Sequence, residues 1–297
     1  MTDSPPPRKS GLLRRAPAGV LALGFVSMLM DTSSEMIHSL LPLFMVGALG
    51  LGPLAVGLID GLSEAAAALV KIWSGVLSDR LGRRKPLALA GYGLGALSKP
   101  LFPLAASAGA VFAARFIDRI GKGIRGAPRD ALVADMTPPD QRGAAYGLRQ
   151  AVDNLGAVIG PLAAMALMAA FNDDYRTVFW LAVIPAFLSV AVLAIAVKEP
   201  PPSPEQAAER ARRRGKRWRF HHLRRLPAAF WVLTAAAAVM VAARFSEAFL
   251  LLRAADVGMA AALTPLALVA MNVVYAAAAY PAGVWTDGRG RGRFGVL

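Results

Sequence analysis

Runs of about 20 apolar residues, each long enough to cross a hydrocarbon core of roughly 30 Å, recur along the whole chain. They fall near 17–47, 53–77, 86–105, 108–134, 144–170, 176–197, 227–252 and 260–284. A soluble helix carries its apolar residues as a stripe on one face, whereas these runs are apolar nearly all round. Only 18% of the residues are charged and mean hydropathy is +0.48. These features predict an all-α, polytopic membrane protein of eight spans. The first run is too long for the core of a signal peptide.

The loops between spans fall into two unequal sets. One set holds Arg8, Lys9, Arg14 and Arg15, then Arg80, Arg83, Arg84 and Lys85, then Arg142, the basic run Lys198–Arg225, and finally Arg289, Arg291 and Arg293. The opposite set holds only Arg176 and Arg253. Basic residues are retained on the cytoplasmic side, so a multi-pass protein of the plasma (inner) membrane with both termini in the cytoplasm is expected. The domain reading is a cytoplasmic tail (1–16), a six-span membrane domain (17–197), a basic cytoplasmic linker (198–226) and a second, partial membrane domain of two spans (227–297). The linker, KEPPPSPEQAAERARRRGKRWRFHHLRRL, reads as a solvated segment beside anionic lipid headgroups. The net charge of +14 therefore reflects topology, and no nucleic-acid partner is expected.

The chain has no cysteine and only three histidines, His38, His221 and His222. Disulfides, thiolate chemistry and a histidine-based metal site are not expected. Nor is there a Walker A sequence, so nothing predicts a nucleotide or any other cofactor.

Two loops in the basic set repeat each other. Gly75-Val-Leu-Ser-Asp79-Arg80-Leu-Gly82-Arg83-Arg84-Lys85 follows the second span, and Gly283-Val-Trp-Thr-Asp287-Gly-Arg289-Gly-Arg291-Gly-Arg293 follows the eighth. Their aspartates lie 208 positions apart, and Ser34-Glu35 in the first span matches Ser246-Glu247 in the seventh, 212 positions on. Internal symmetry with a six-span period is a signature of transporter folds.

On these residues the chain resembles the major facilitator superfamily. The loop GVLSDRLGRRKP is similar to that family's motif between its second and third helices. Arg115-Phe-Ile-Asp118-Arg119-Ile-Gly121-Lys-Gly123 is similar to its fourth-helix motif, although Asp118 and Arg119 stand where the family usually has an amide and a glycine. Gly156-Ala-Val-Ile-Gly160-Pro161 is similar to its fifth-helix motif, associated with antiporters. The resemblance implies a helical bundle with one complete six-helix half and a partial second half, the family's usual length being twelve helices. It implies a cytoplasmic gate in which Asp79 pairs with a neighbouring arginine and a helix N-terminus of the other half, and a Gly156/Gly160 face that meets the eighth span.

Ionisable residues inside spans are costly and mark pathways and sites. Here they are numerous: Asp31, Glu35 and His38 in the first span, Asp60, Glu64 and Lys71 in the second, Lys99 in the third. The fourth carries Arg115, Asp118, Arg119, Lys122 and Arg125, the fifth Arg149 and Asp153, the seventh Arg244 and Glu247. At 1.5 Å per residue, Glu64, Asp118, Arg119 and Asp153 lie about 14–15 Å from a span end, close to the midplane where transporters hold substrate and ions. The candidate substrate and proton-coupling set is Asp31, Glu35, Glu64, Arg115, Asp118, Arg119, Arg149, Asp153 and Glu247. A static lattice, with Arg115 or Arg119 paired to Asp153 or Glu64, is the competing reading of the same residues.

The expectation is a secondary transporter, proton-coupled, working by antiport or export of a small molecule through alternating access. A truncated, non-transporting membrane protein or partner subunit is the alternative, and an intramembrane enzyme built on Asp31 and Glu35 is a third. The expected partners are membrane lipids, an unidentified small molecule and protons.

Overall fold

The computed structural model describes residues 18–138, 141–201, 227–242 and 246–274. The N-terminal tail, the basic linker, Arg244, and the second-half motif at Gly283, Asp287 and Arg289 lie outside these residues.

The described residues form helices and connections only. The order is α1 (Ala18–His38), α2 (Leu41–Leu43) leading into a π-helical turn (Phe44–Ala48), α3 (Pro53–Leu81), α4 (Lys85–Ser98) and α5 (Leu101–Leu104). Then come α6 (Ala108–Asp135), α7 (Arg142–Ala170), α8 (Tyr175–Ala196), α9 (Ala228–Ala242), α10 (Glu247–Asp256) and α11 (266–274). Four of these segments, Ala18–Ala48, Pro53–Leu81, Ala145–Ala170 and Tyr175–Ala196, are long and apolar enough to cross a membrane. α6 is also long, at 28 residues, but its charges lower its hydropathy.

Two expected spans are broken. The third is interrupted at Lys99-Pro100, because proline disfavours helical backbone in the residue before it and removes an amide donor. The seventh divides into α9 and α10, and α10 begins afresh where the Ser246 hydroxyl accepts a hydrogen bond from the Ala248 amide.

The bundle is turned inside out relative to a soluble protein. On α3 the buried positions include Ser63, Ala67, Ser74 and Ser78, while Leu54, Leu58, Leu62, Leu69, Ile72 and Trp73 are exposed. Small residues at contacts and large apolar ones outward are what a lipid solvent selects.

The closest packing surrounds α6, which lies between α3 and α4. Gly121 and Gly123, two positions apart and so on opposite faces, serve one neighbour each. A Cβ on Gly121 would stand 2.8 Å from the Gly91 carbonyl of α4, and one on Gly123 would stand 2.7 Å from the Ala67 carbonyl of α3. The G-x-G of the fourth span is thus a two-sided contact. α1 is the other central helix, packed on α7 and α8.

Candidate functional site

α6 carries its charges in two layers. The outer layer comprises Arg115, Asp118, Arg119 and Lys122, and α3 answers it one helical turn at a time. Arg115 donates to the Asp60 carboxylate, and four residues further on Arg119 Nη1 lies 2.9 Å from Glu64 Oε1. Asp60 also accepts from the Ser246 hydroxyl, which ties the six-helix bundle to the start of α10. Arg119 Nη2 sits 3.0 Å from His38 Nδ1, so the guanidinium joins α3 to α1.

Asp118 lies behind this wall. Lys99, at the broken end of α4 and fully buried, donates to Asp118 Oδ1 at 2.8 Å and to the Ser34 hydroxyl at 2.9 Å. His38 Nε2 is 3.6 Å from Asp118 Oδ2. Isolated burial of an ammonium is prohibitive, so Lys99 depends on this carboxylate.

A cavity of about 740 Å³ opens against the outer layer. Glu35, His38, Asp60, Glu64, Arg115, Arg119 and Lys122 line it from the six-helix side, and Ser246, Glu247 and Asn272 from α10 and α11. Its apolar wall includes Leu41, Met45, Val56, Leu251 and Leu268.

The inner layer lies away from that cavity. Arg149 Nη1 donates to Asp153 Oδ2 at 3.1 Å, one turn apart on α7. Arg129 donates to the Ser27 hydroxyl at 3.1 Å and approaches Asp153 at 3.9 Å. Arg125 lies 3.7 Å from Asp31 and over the Tyr92 ring at 4.8 Å, and Tyr92 and Ser27 hydroxyls share a 2.9 Å hydrogen bond. None of these groups lines the cavity.

The candidate residues therefore separate. Glu35, Glu64, Arg115, Arg119 and Glu247 face the cavity, Asp118 supports it from behind, and Asp31, Arg149 and Asp153 belong to the inner layer. The expected lattice is right for Arg119 with Glu64. It is corrected for Asp153, which pairs with Arg149 and approaches Arg129, because α7 meets α1 along one face and α6 only at its inner end. Asp60, Lys99 and Lys122 carry more of the outer layer than their sequence positions suggest. The signal for Asp60 and Glu64 was their spacing of four, which matches Arg115 and Arg119.

Among the described residues the Gly156/Gly160 face meets α1: a Cβ at Gly156 would stand 2.6 Å from the Met28 carbonyl, and one at Gly160 2.6 Å from Glu35 Cβ. The eighth span touches α7 elsewhere, through Ala261–Leu263.

At the far end of α3, Gly82 closes the helix with φ of 65°, a left-handed conformation that favours glycine. Asp79, Arg80 and Arg83 are exposed there. Arg84 Nε is 2.7 Å from Asp135 on α6. The Arg84 and Lys85 amides donate to the Glu199 carboxylate at 2.7 and 3.2 Å, a negative charge at the positive end of α4. On the opposite side Arg176 donates to the Pro103 and Ala105 carbonyls at the end of α5. Beside it Asp174 caps α8; the Thr177 hydroxyl and the Arg176 amide hold its carboxyl below the usual range.

A family model described as Major Facilitator Superfamily matches residues 23–297. An MFS-type transporter of Methanocaldococcus jannaschii is 30% identical over 285 residues, covering 94% of this chain and 68% of the relative. The multidrug resistance protein MdtH of Edwardsiella ictaluri is 31% identical over 144 residues, covering 48% of this chain and 35% of the relative. Among solved structures, a bacterial homologue of the human lysosomal transporter Spinster, inward-facing and occupied, superposes with a TM-score of 0.73 at 18% identity, over 94% of this chain and 62% of that one. The chain thus spans only part of the length of these proteins. With its polytopic helical bundle and its family match over most of its length, the chain belongs to the Major Facilitator Superfamily, whose members are membrane transporters and not enzymes.

Proposed function

We propose that this chain forms the substrate-handling half of a proton-coupled secondary transporter that exports a small molecule by alternating access. The observation that carries this reading is the cavity between the six-helix bundle and the Ser246–Asn272 region, lined by carboxylates and cations. Charged groups retained in spans against their insertion cost are the usual mark of an ion or substrate path. Glu35, Glu64, Arg115, Arg119 and Glu247 are assigned to the site, Asp118 to its support, and Asp31, Arg149 and Asp153 to a proton path on the inner side. Gly75, Asp79, Arg80, Gly82, Arg83 and Arg84 are assigned to the cytoplasmic gate, with Gly283, Asp287 and Arg289 as its counterpart. Both termini are placed in the cytoplasm, with the domain limits given above. The multidrug resistance name of one relative favours export.

The test is flux in proteoliposomes with an imposed pH gradient, read with an internal pH dye against a panel of small organic solutes. Solute-dependent proton movement, reduced at least tenfold in Glu35→Gln, is expected. Proton movement indifferent to every solute and to that substitution overturns the reading. A second reading, a membrane protein that acts only with a partner subunit, is favoured by α9, whose residues 228–241 are all exposed. It predicts no flux until a partner is supplied.

A further inference from the structure

α3 and α6 run in the same direction and meet along their length, so their charges fall in rungs. Asp60 answers Arg115 and Glu64 answers Arg119. Lys122 is the next cation on that face of α6. At the corresponding place on α3 stand Ala67 and Ala68, and Ala67 and Val70 are the residues in contact with Gly123. No carboxylate among the described residues lies within ion-pair distance of Lys122. Its side chain is exposed and borders the cavity.

An ammonium near the middle of a span is costly to insert. Its two neighbours on α6 offset that cost with matched carboxylates, whereas the third rung is left open. Glu35 of α1 lines the same cavity and feels the charge of Lys122, but among the described residues it makes no ion pair with it. The remaining wall, with Leu41, Met45, Val56, Leu251 and Leu268, is shaped for hydrocarbon and offers no cation.

We propose that Lys122 is the anchoring cation for a substrate bearing an anionic group, carboxylate or phosphate, on an apolar body. The inference rests on the transporter reading for the word substrate, but the binding chemistry is separable from transport. The anion completes the third rung, and the apolar body lies against the aliphatic wall. Glu35, facing the same space, opposes the anion and sets how tightly it is held.

The experiment is equilibrium binding to the chain in lipid nanodiscs, without any gradient, with four probes of one chain length: hexanoate, hexyl phosphate, hexylammonium and hexanol. Empty nanodiscs supply the background. The two anions separate carboxylate from phosphate recognition. At least one anion is expected to bind tenfold or more tightly than hexanol and hexylammonium. Lys122→Gln is expected to lose that preference and Lys122→Arg to keep it. Glu35→Gln, which removes the opposing charge, is expected to tighten anion binding several-fold, and it tests the idea even if Lys122→Gln does not fold. Preference for hexylammonium, or anion binding unchanged in both Lys122→Gln and Glu35→Gln, overturns the proposal. Anion binding through Lys122 without flux in proteoliposomes would overturn the transport reading while leaving the anion site intact.

Discussion

The outer and inner charge layers of α6 use the same residue types, arginine against aspartate or glutamate, and behave as different materials. In the outer layer Arg115, Asp118 and Arg119 are buried, but Glu64 is half exposed and Lys122 is open to the cavity. In the inner layer Arg125, Arg149 and Asp153 are buried, and each cation has a carboxylate, hydroxyl or ring beside it. The difference lies in what faces the helix. α1 and α7 approach closely beside the inner layer because Gly156 stands level with Asp31, whereas the outer layer borders a gap bridged by Ser246. Identical chemistry is thus a fixed lattice at one depth and a reactive surface at the other.

The largest expected effect breaks the outer layer from behind. Asp118→Asn strips from Lys99 the one carboxylate that pairs with it among the described residues, and removing one partner of a buried pair costs about 3–5 kcal/mol. Thermal unfolding of the purified protein measures it. The pair Asp118→Leu with Lys99→Met should recover most of the loss, since replacing both charges with apolar groups is often neutral. A small effect of Asp118→Asn alone would mean that the outer layer is held from the cavity side.

The next test addresses the inner layer. Asp153→Asn weakens a charge-assisted hydrogen bond, worth about 1.5–3 kcal/mol, and Arg129 and Asp130 remain to share the load. A double-mutant cycle with Arg149→Gln should show coupling of that order or below. If its coupling exceeds that of Lys99 with Asp118, the inner layer is the stiffer one because of its charges and not because of its packing.

How much of this was legible in the sequence follows the same division. The spans were legible because hydrophobic length is a local property. The two-sided Gly121/Gly123 contact was not, because it depends on which helices pack on α6. Nor was charge pairing. Spacing places Asp31 and Glu35 on one face of α1, but the partner is chosen by whichever helix packs there. Asp153 was therefore assigned to the midplane site, when α7 in fact delivers it to Arg149 and Arg129. The breaks at Lys99-Pro100 and at Ser246 carry visible signals, a proline and a serine cap, which the surrounding apolar composition masks.

Packing between the layers gives the third test. Gly156 lies level with Asp31 and Gly160 level with Glu35. Overpacking of a filled interface costs about 1–3 kcal/mol, and Gly160→Ala should reach that range by forcing α7 away from α1. In Gly160→Ala the shift falls beside the cavity, so ligand binding should weaken as well. In Gly156→Ala the loss should appear in stability alone.

The smallest expected effect is the most discriminating. Lys122→Gln removes a cation that makes no ion pair among the described residues and stands in the opposing fields of Arg119 and Arg125 on one hand and Asp31 and Glu64 on the other. A structural lysine at this depth would behave like Lys99 and cost several kcal/mol when removed. An open rung predicts the opposite: a change within about 0.5 kcal/mol, as for surface substitutions away from specific contacts. The measurement is thermal unfolding in nanodiscs without added ligand, compared with Lys99→Gln in the same preparation. Two lysines on neighbouring helices, one fully buried against Asp118 and one facing the cavity, then report whether charge in this bundle is scaffold or site.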